Sequence, residues 1–241
     1  MKLDVMAFGA HPDDCELSMG GTLLVLKNLS YRVGVCDLSS GELGTYGSGS
    51  ERKKELERAS EILSLDVRLT LDFVDGNVRN TDENRKKVIQ VIRKYRPTIV
   101  FSFVDDTRHP DHLNVGKLVK ECSFLAGLKK LNSDFLPHRP AAFFRFPELI
   151  PWEKPDFVVD ISDVWDKKLA VLRSFESQFT IGHEETEPPQ TFLKSKEFWE
   201  LIEAKARLAG SMIGVRYGEP FYSDRPLRIL DPVAISSKEF I

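Results

Sequence analysis

Cysteine is scarce in this chain. Three occur in 241 residues, Cys15, Cys36 and Cys122. They form no CxxC pair, and an odd count argues against a disulfide framework, so a reduced, cytoplasmic setting is expected. No apolar run approaches the roughly 18 residues that a membrane span needs. The N-terminal stretch, interrupted at Asp4, lacks the hydrophobic segment of a signal peptide. Neither charge sign dominates: 34 Lys plus Arg oppose 37 Asp plus Glu, a net charge of −3. That balance excludes broad attraction to nucleic acid or to an anionic membrane surface. Internal repeats and low-complexity segments are missing. So are GxGxxG and GxxxxGK[ST], and the Gly20-Gly21-Thr22 stretch therefore carries no phosphate-loop signature. Its glycines are expected to let a helix pack closely on a sheet.

What is present is an ordinary soluble composition, 41% apolar and 29% charged, on a length that suits one α/β domain over residues 1–241. Residues 3–10 read as a buried strand, 20–30 as a helix opened by the two glycines, and 33–38 as a second strand. A Gly- and Ser-rich loop covers 39–50. Residues 51–64 carry Leu56, Ala59, Ile62 and Leu63 at helical spacing. A strand is expected at 67–73 and a helix at 82–95, ended by Pro97. The run at 98–104 is a short buried strand. Further strands are expected at 141–146 and 156–161, helices at 163–176 and 195–213, and a polar loop at 182–194 that holds Pro188 and Pro189. Alternating strands and helices predict a mostly parallel sheet with right-handed crossovers, a Rossmann-like three-layer sandwich.

Histidine is also rare, yet three of the five histidines fall in two short clusters. One is His11-Pro12-Asp13-Asp14, the other His109-Pro110-Asp111-His112. Each follows an expected strand, and in open parallel sheets sites gather at the carboxyl ends of strands. Catalytic zinc commonly takes three ligands from histidine and carboxylate, leaving a position for water. Two histidines and one aspartate from these clusters meet that need. A remaining carboxylate can take a proton from the metal-bound water, and a remaining histidine can stabilise an oxyanion or protonate a leaving amine. The bland alternative is that Asp13 or Asp14 caps a helix and His11 is a hydrogen-bonded loop residue. His138 and His183 lie in expected loops, with surface roles.

At these residues the chain resembles the PIG-L/LmbE-like zinc N-acetylglucosamine deacetylases. The resemblance is carried by AHPDDCELSMGGT (10–22), RHPDH (108–112) and GELGTYGSGSERKKELERA (41–59). SQF (177–179) and IGVRYGEPF (213–221) are similar to the bacillithiol-biosynthesis branch. The resemblance implies a Rossmann-like fold with His11, Asp14 and His112 on zinc, iron(II) being a second possibility for a His-His-Asp set. It implies Asp13 as general base, His109 as the group that polarises the carbonyl or acts as acid, and Asp111 as its orienting partner. Arg52 and Arg108 match binders of substrate carboxylates, for which a guanidinium offers a bidentate fork. In that branch the substrate is N-acetylglucosaminyl malate. Family analogy also implies a homo-oligomer, a trimer or hexamer, with a small-molecule amino sugar as the partner. Cys15 and Ser18 depart from the branch pattern, which often has an aliphatic residue and glycine there. A sulfur ligand from Cys15 is conceivable, but a small buried side chain is the simpler reading. Two alternatives stand beside the malate substrate. One is another N-acetyl amino-sugar conjugate; the other is a non-catalytic Rossmann-like sugar- or nucleotide-binding module.

Overall fold

The computed structural model describes residues 1–105, 107–148, 154–179 and 191–229. Its centre is a seven-stranded sheet in the order β3-β2-β1-β4-β5-β7-β6. The strands are β1 (Val5–Gly9), β2 (Val33–Ser39), β3 (Val67–Phe73), β4 (Ile99–Phe103), β5 (Ala142–Phe146), β6 (Phe157–Asp160) and β7 (Gly218–Ser223). β1 to β5 pair in parallel, and β7 runs antiparallel to both β5 and β6. β1, β2 and β4 are almost wholly buried, as their continuous apolar sequences require of strands covered on both faces. The mostly parallel α/β architecture is the expected one.

Right-handed crossovers decide where the helices lie. The chain steps outward from β1 to β3 through α1 (Asp14–Asn28) and α2 (Gly49–Leu63), and these pack together with α5 (Trp165–Arg173). It then steps back to β4 and on to β5 through α3 (Asp82–Tyr95) and α4 (Pro110–Leu125), which pack on each other. The strand order therefore reverses between β1 and β4. That switch point leaves a crevice at the carboxyl ends of these two strands. α6 (Glu176–Phe179) and α7 (Lys196–Ser211) complete the described helices.

Four elements differ from the sequence reading. α1 begins at Asp14, six residues before the glycines expected to open it, and breaks at Met19 (φ −143°). The break is stitched from outside. Glu219 of β7 accepts from the backbone N–H of Gly21 (2.9 Å) and Thr22 (2.6 Å), while Lys168 donates to Leu17 O (3.0 Å) and to Glu219 (2.5 Å). A side chain on Gly21 would lie 2.8 Å from Ile161, just after β6, so the glycine does serve close packing. α4 and β7 were not anticipated. β7 holds Gly218 and Pro220, residues that demote a strand, but β5 pairs only with Tyr222 and Ser223, so Pro220 lies past that ladder. The expected helix at 163–176 is a 3-10 turn (Ser162–Val164) followed by α5.

Candidate active site

His11 follows the last residue of β1 by two positions, and His109 and His112 come from the start of α4, beyond β4. The switch point thus brings together two clusters about a hundred residues apart. His109 is the N-cap of α4 and its ring Nδ1 accepts from the Asp111 backbone N–H at 3.2 Å, with Pro110 in the first turn. Asp13 is the N-cap of α1 in a left-handed conformation (φ 102°). Aspartate tolerates that region better than most residues, though at a cost of about 1–3 kcal/mol, and such strain concentrates at functional sites.

His11, Asp14 and His112 offer donor atoms that all lie within 4.8 Å of one another. Asp14 Oδ2 accepts from the backbone N–H groups of Ala10 (2.9 Å) and His11 (2.7 Å), which turns Oδ1 toward His112 Nε2 at 3.1 Å. His11 Nδ1 lies 3.3 Å from the same nitrogen. On their far sides the rings meet carboxylates. His11 Nε2 is 2.9 Å from Asp75 Oδ1, and His112 Nδ1 is 3.4 Å from Glu148 Oε2. The Asp75 hydrogen bond assigns a proton to His11 Nε2, and the nearby Glu148 carboxylate favours one on His112 Nδ1. With their other nitrogens deprotonated, the two rings would aim lone pairs, with a carboxylate oxygen, at one point. Donors about 2.0–2.1 Å from a tetrahedral ion stand roughly 3.3 Å apart, so this set fits a divalent cation. Phe103 stacks on His112 (centroids 4.2 Å, 5° between planes) and fixes its ring.

Without a metal the cluster is strongly polarised. Burial opposes charge on both rings, but the Asp14 carboxylate outweighs it and raises His11 to about 9 and His112 to about 10. Burial likewise opposes ionisation of Asp14, yet the two histidines hold it well below the usual carboxylate range. Asp13 goes the other way: burial, then the charge of Asp14, pushes its carboxyl well above that range, against the pull of Arg52. His109 is lowered by burial and by the neighbouring histidines, so it is neutral near pH 7. The Asp111 carboxylate does not hold the His109 ring through a hydrogen bond, as its expected orienting role implied. Its oxygens accept from Gly76 N (2.7 Å) and Val78 N (3.0 Å), and only its backbone N–H serves His109. With Nδ1 accepting, the His109 proton sits on Nε2.

These groups line a cleft of about 540 Å³, with walls from Gly41, residues 43–46, Arg52, Gln178 and residues 191–193. Arg52 is buried and donates to Gly41 O; Gly41 has φ +67°, and a side chain there would meet the guanidinium. Arg108 stands exposed at the rim beside Glu148. Residues 182–190 of the expected 182–194 loop, including His183, lie outside the described residues; Thr191, Phe192 and Leu193 border the cleft. His138 is elsewhere, its Nε2 2.7 Å from Pro97 O.

The model of the PIG-L family, described as GlcNAc-PI de-N-acetylase, matches residues 6–123. Diacetylchitobiose deacetylase of Thermococcus kodakarensis is 34% identical over 89% of this chain and 80% of its own length. The chain belongs to the PIG-L family of deacetylases. A crystal structure of a conserved protein from Thermus thermophilus superposes with a TM-score of 0.85 at 37% identity, covering 95% of this chain and 97% of that one. The Bacillus cereus protein named "Probable N-acetyl-alpha-D-glucosaminyl L-malate deacetylase 2" is 25% identical over 77% of this chain and 88% of its own. The family is thus the expected one, while the malate branch is matched at lower identity than the chitobiose enzyme.

Two residues of this PIG-L site escaped the sequence reading, Asp75 and Glu148. Each is the second residue after a strand, β3 and β5, just as His11 is after β1. The strand-end rule that singled out the histidines reaches both. Cys15, fully buried with its thiol pushed up by burial, belongs to no donor group among the described residues. All three cysteines are buried and free. No helix of the described residues is long and apolar enough to cross a membrane.

Proposed function

We propose that this PIG-L protein is a metal-dependent N-deacetylase that removes acetate from an N-acetylglucosamine residue in a short, uncharged glycoside of the diacetylchitobiose type. The observation that carries the reading is the convergence of His11 Nδ1, Asp14 Oδ1 and His112 Nε2 beside a buried, hard-to-ionise Asp13. Those three residues hold the metal, zinc foremost and iron(II) as the alternative that the same donors accept. When bound, such an ion supplies an activated water and a Lewis acid for the amide carbonyl.

Asp13 accepts the proton of the attacking water; burial and the neighbouring Asp14 charge raise its carboxyl above the usual range, which strengthens it as a base. His109 donates from Nε2 to the carbonyl oxygen as it gains charge. Asp75 and Glu148 keep the two ligand rings in the tautomers that face the ion. Asp111 holds the 76–78 backbone against the site and, through its own N–H, the His109 ring.

A second reading, N-acetylglucosaminyl malate as substrate, draws support from Arg52 and Arg108 in the cleft wall and from the Bacillus cereus relative. Acetate release by the zinc-loaded enzyme from diacetylchitobiose, N-acetylglucosaminyl malate and plain N-acetylglucosamine separates the two. Fastest turnover of chitobiose is expected. A clear preference for the malate conjugate favours the second reading, and no acetate from any of them would remove both.

A further inference from the structure

Glu148 sits where the metal ligands meet the rim of the cleft, and no motif assigns it. Its side chain is only 14% exposed. Oε2 accepts the Arg108 backbone N–H at 3.1 Å, Oε1 lies 3.5 Å from Arg108 Nη2, and Oε2 lies 3.4 Å from His112 Nδ1. Its backbone is pinned from α7. Lys205, itself buried, donates to the carbonyls of Pro147 (3.2 Å) and Glu148 (3.1 Å).

The charge pattern of the cleft follows. Among the described residues that line it, Arg52 and Arg108 are the permanent cations. Arg52 is committed to Gly41 O and acts electrostatically on Asp13. Arg108 has Glu148 beside it. A carboxylate-bearing aglycone drawn to Arg108 arrives within a few ångströms of the Glu148 carboxylate, and in a partly desolvated cleft like charges at that range repel strongly. A sugar hydroxyl meets no such penalty, since it can donate to the same oxygen. Discrimination of this kind is built from a repulsive element as much as from an attractive one.

We propose that Glu148 is a specificity-determining residue, which occupies Arg108 and reserves the cleft for N-acetylglucosamine glycosides with uncharged aglycones. The inference rests on the deacetylase reading above and names its aglycone class.

The test is kcat/KM of the zinc-loaded enzyme for diacetylchitobiose and for N-acetylglucosaminyl malate, in the wild type, Glu148→Gln, Glu148→Asp and Glu148→Gln/Arg108→Ala. Loss of the His112 contact lowers turnover of both substrates, so the ratio is the readout. Glu148→Gln is expected to raise the malate-to-chitobiose ratio by about tenfold or more. Adding Arg108→Ala should erase that gain, because the freed arginine is what attracts the carboxylates. Glu148→Asp keeps the charge but withdraws it by a methylene, and it should move the ratio the same way by less; it serves if the glutamine variant does not fold. A ratio unchanged within about twofold in either variant that still cleaves chitobiose overturns the proposal, as does a wild type that prefers the malate conjugate. Acetate from neither substrate in the wild type overturns the deacetylase reading, and this inference with it.

Discussion

Asp13 and Asp14 are neighbours in sequence, yet their environments drive them apart. Asp14 is held ionised by two histidines; Asp13 is buried against that charge. Adjacent carboxylates with opposed protonation tendencies divide naturally into ligand and base. Asp13→Asn is therefore expected to lose activity by about 10²–10⁴-fold while keeping its metal by elemental analysis; full turnover would remove Asp13 as the base. Asp75→Asn leaves the ligands in place but loosens the His11 ring, and metal affinity should fall by about 10–100-fold in a chelator competition. The histidines also set a pH dependence. In the metal-free protein both titrate above their ordinary 6.5, at about 9 and about 10. The folded chain then binds more protons than the unfolded one across that window, so this contribution to stability is complete below about 6.5 and lost as pH rises through 9 to 10. A metal bound by this pair would displace those protons. Calorimetric zinc titrations at pH 7.5 in buffers of different ionisation enthalpy should show net proton release, and none would contradict the assigned ligand pair.

At the scale of elements, α1 carries the most information about how the site is held. Its break at Met19 leaves backbone donors and an acceptor inside the protein, and the buried Lys168–Glu219 pair takes them up. Glu219→Ala strips that cap and leaves an unpaired buried lysine, which should cost about 3–5 kcal/mol; urea denaturation measures it, and a loss under about 1 kcal/mol would show that the pair is dispensable. None of this was legible beforehand. Glu219 lies almost two hundred residues from Gly21, and its strand looked unlike one because it holds Gly218 and Pro220. The β1 to β4 alternation was legible, because the buried strands β1, β2 and β4 read as short apolar runs, separated by helices of clear 3.6 period, as at Val88, Val91 and Ile92 in α3. α4 was hidden by its weak amphipathicity, being buried on much of its surface. His11, Asp14, Asp13, His109 and His112 could be gathered from spacing and strand ends. The strand-end rule reaches Asp75 and Glu148 as well, but the sequence does not say which strand-end carboxylates turn into the site.

For the whole molecule, the switch point between β1 and β4 is what makes a site at all. It opens the crevice into which the ends of β1, β3, β4 and β5 deliver His11, Asp75, the α4 histidines and Glu148. A cation bound there ties together segments from both halves of the sheet, so metal should raise global stability and not only complete the chemistry. At free zinc about a thousandfold above Kd the gain is about 4 kcal/mol, visible as a higher Tm than that of the chelated protein. The most direct measurement is a zinc titration of the metal-free enzyme followed by acetate release from diacetylchitobiose. Activity should rise from nothing and level off at roughly one equivalent per chain, and His11→Ala should show no such rise. Undiminished acetate release by the metal-free protein would contradict a metal centre at His11, Asp14 and His112.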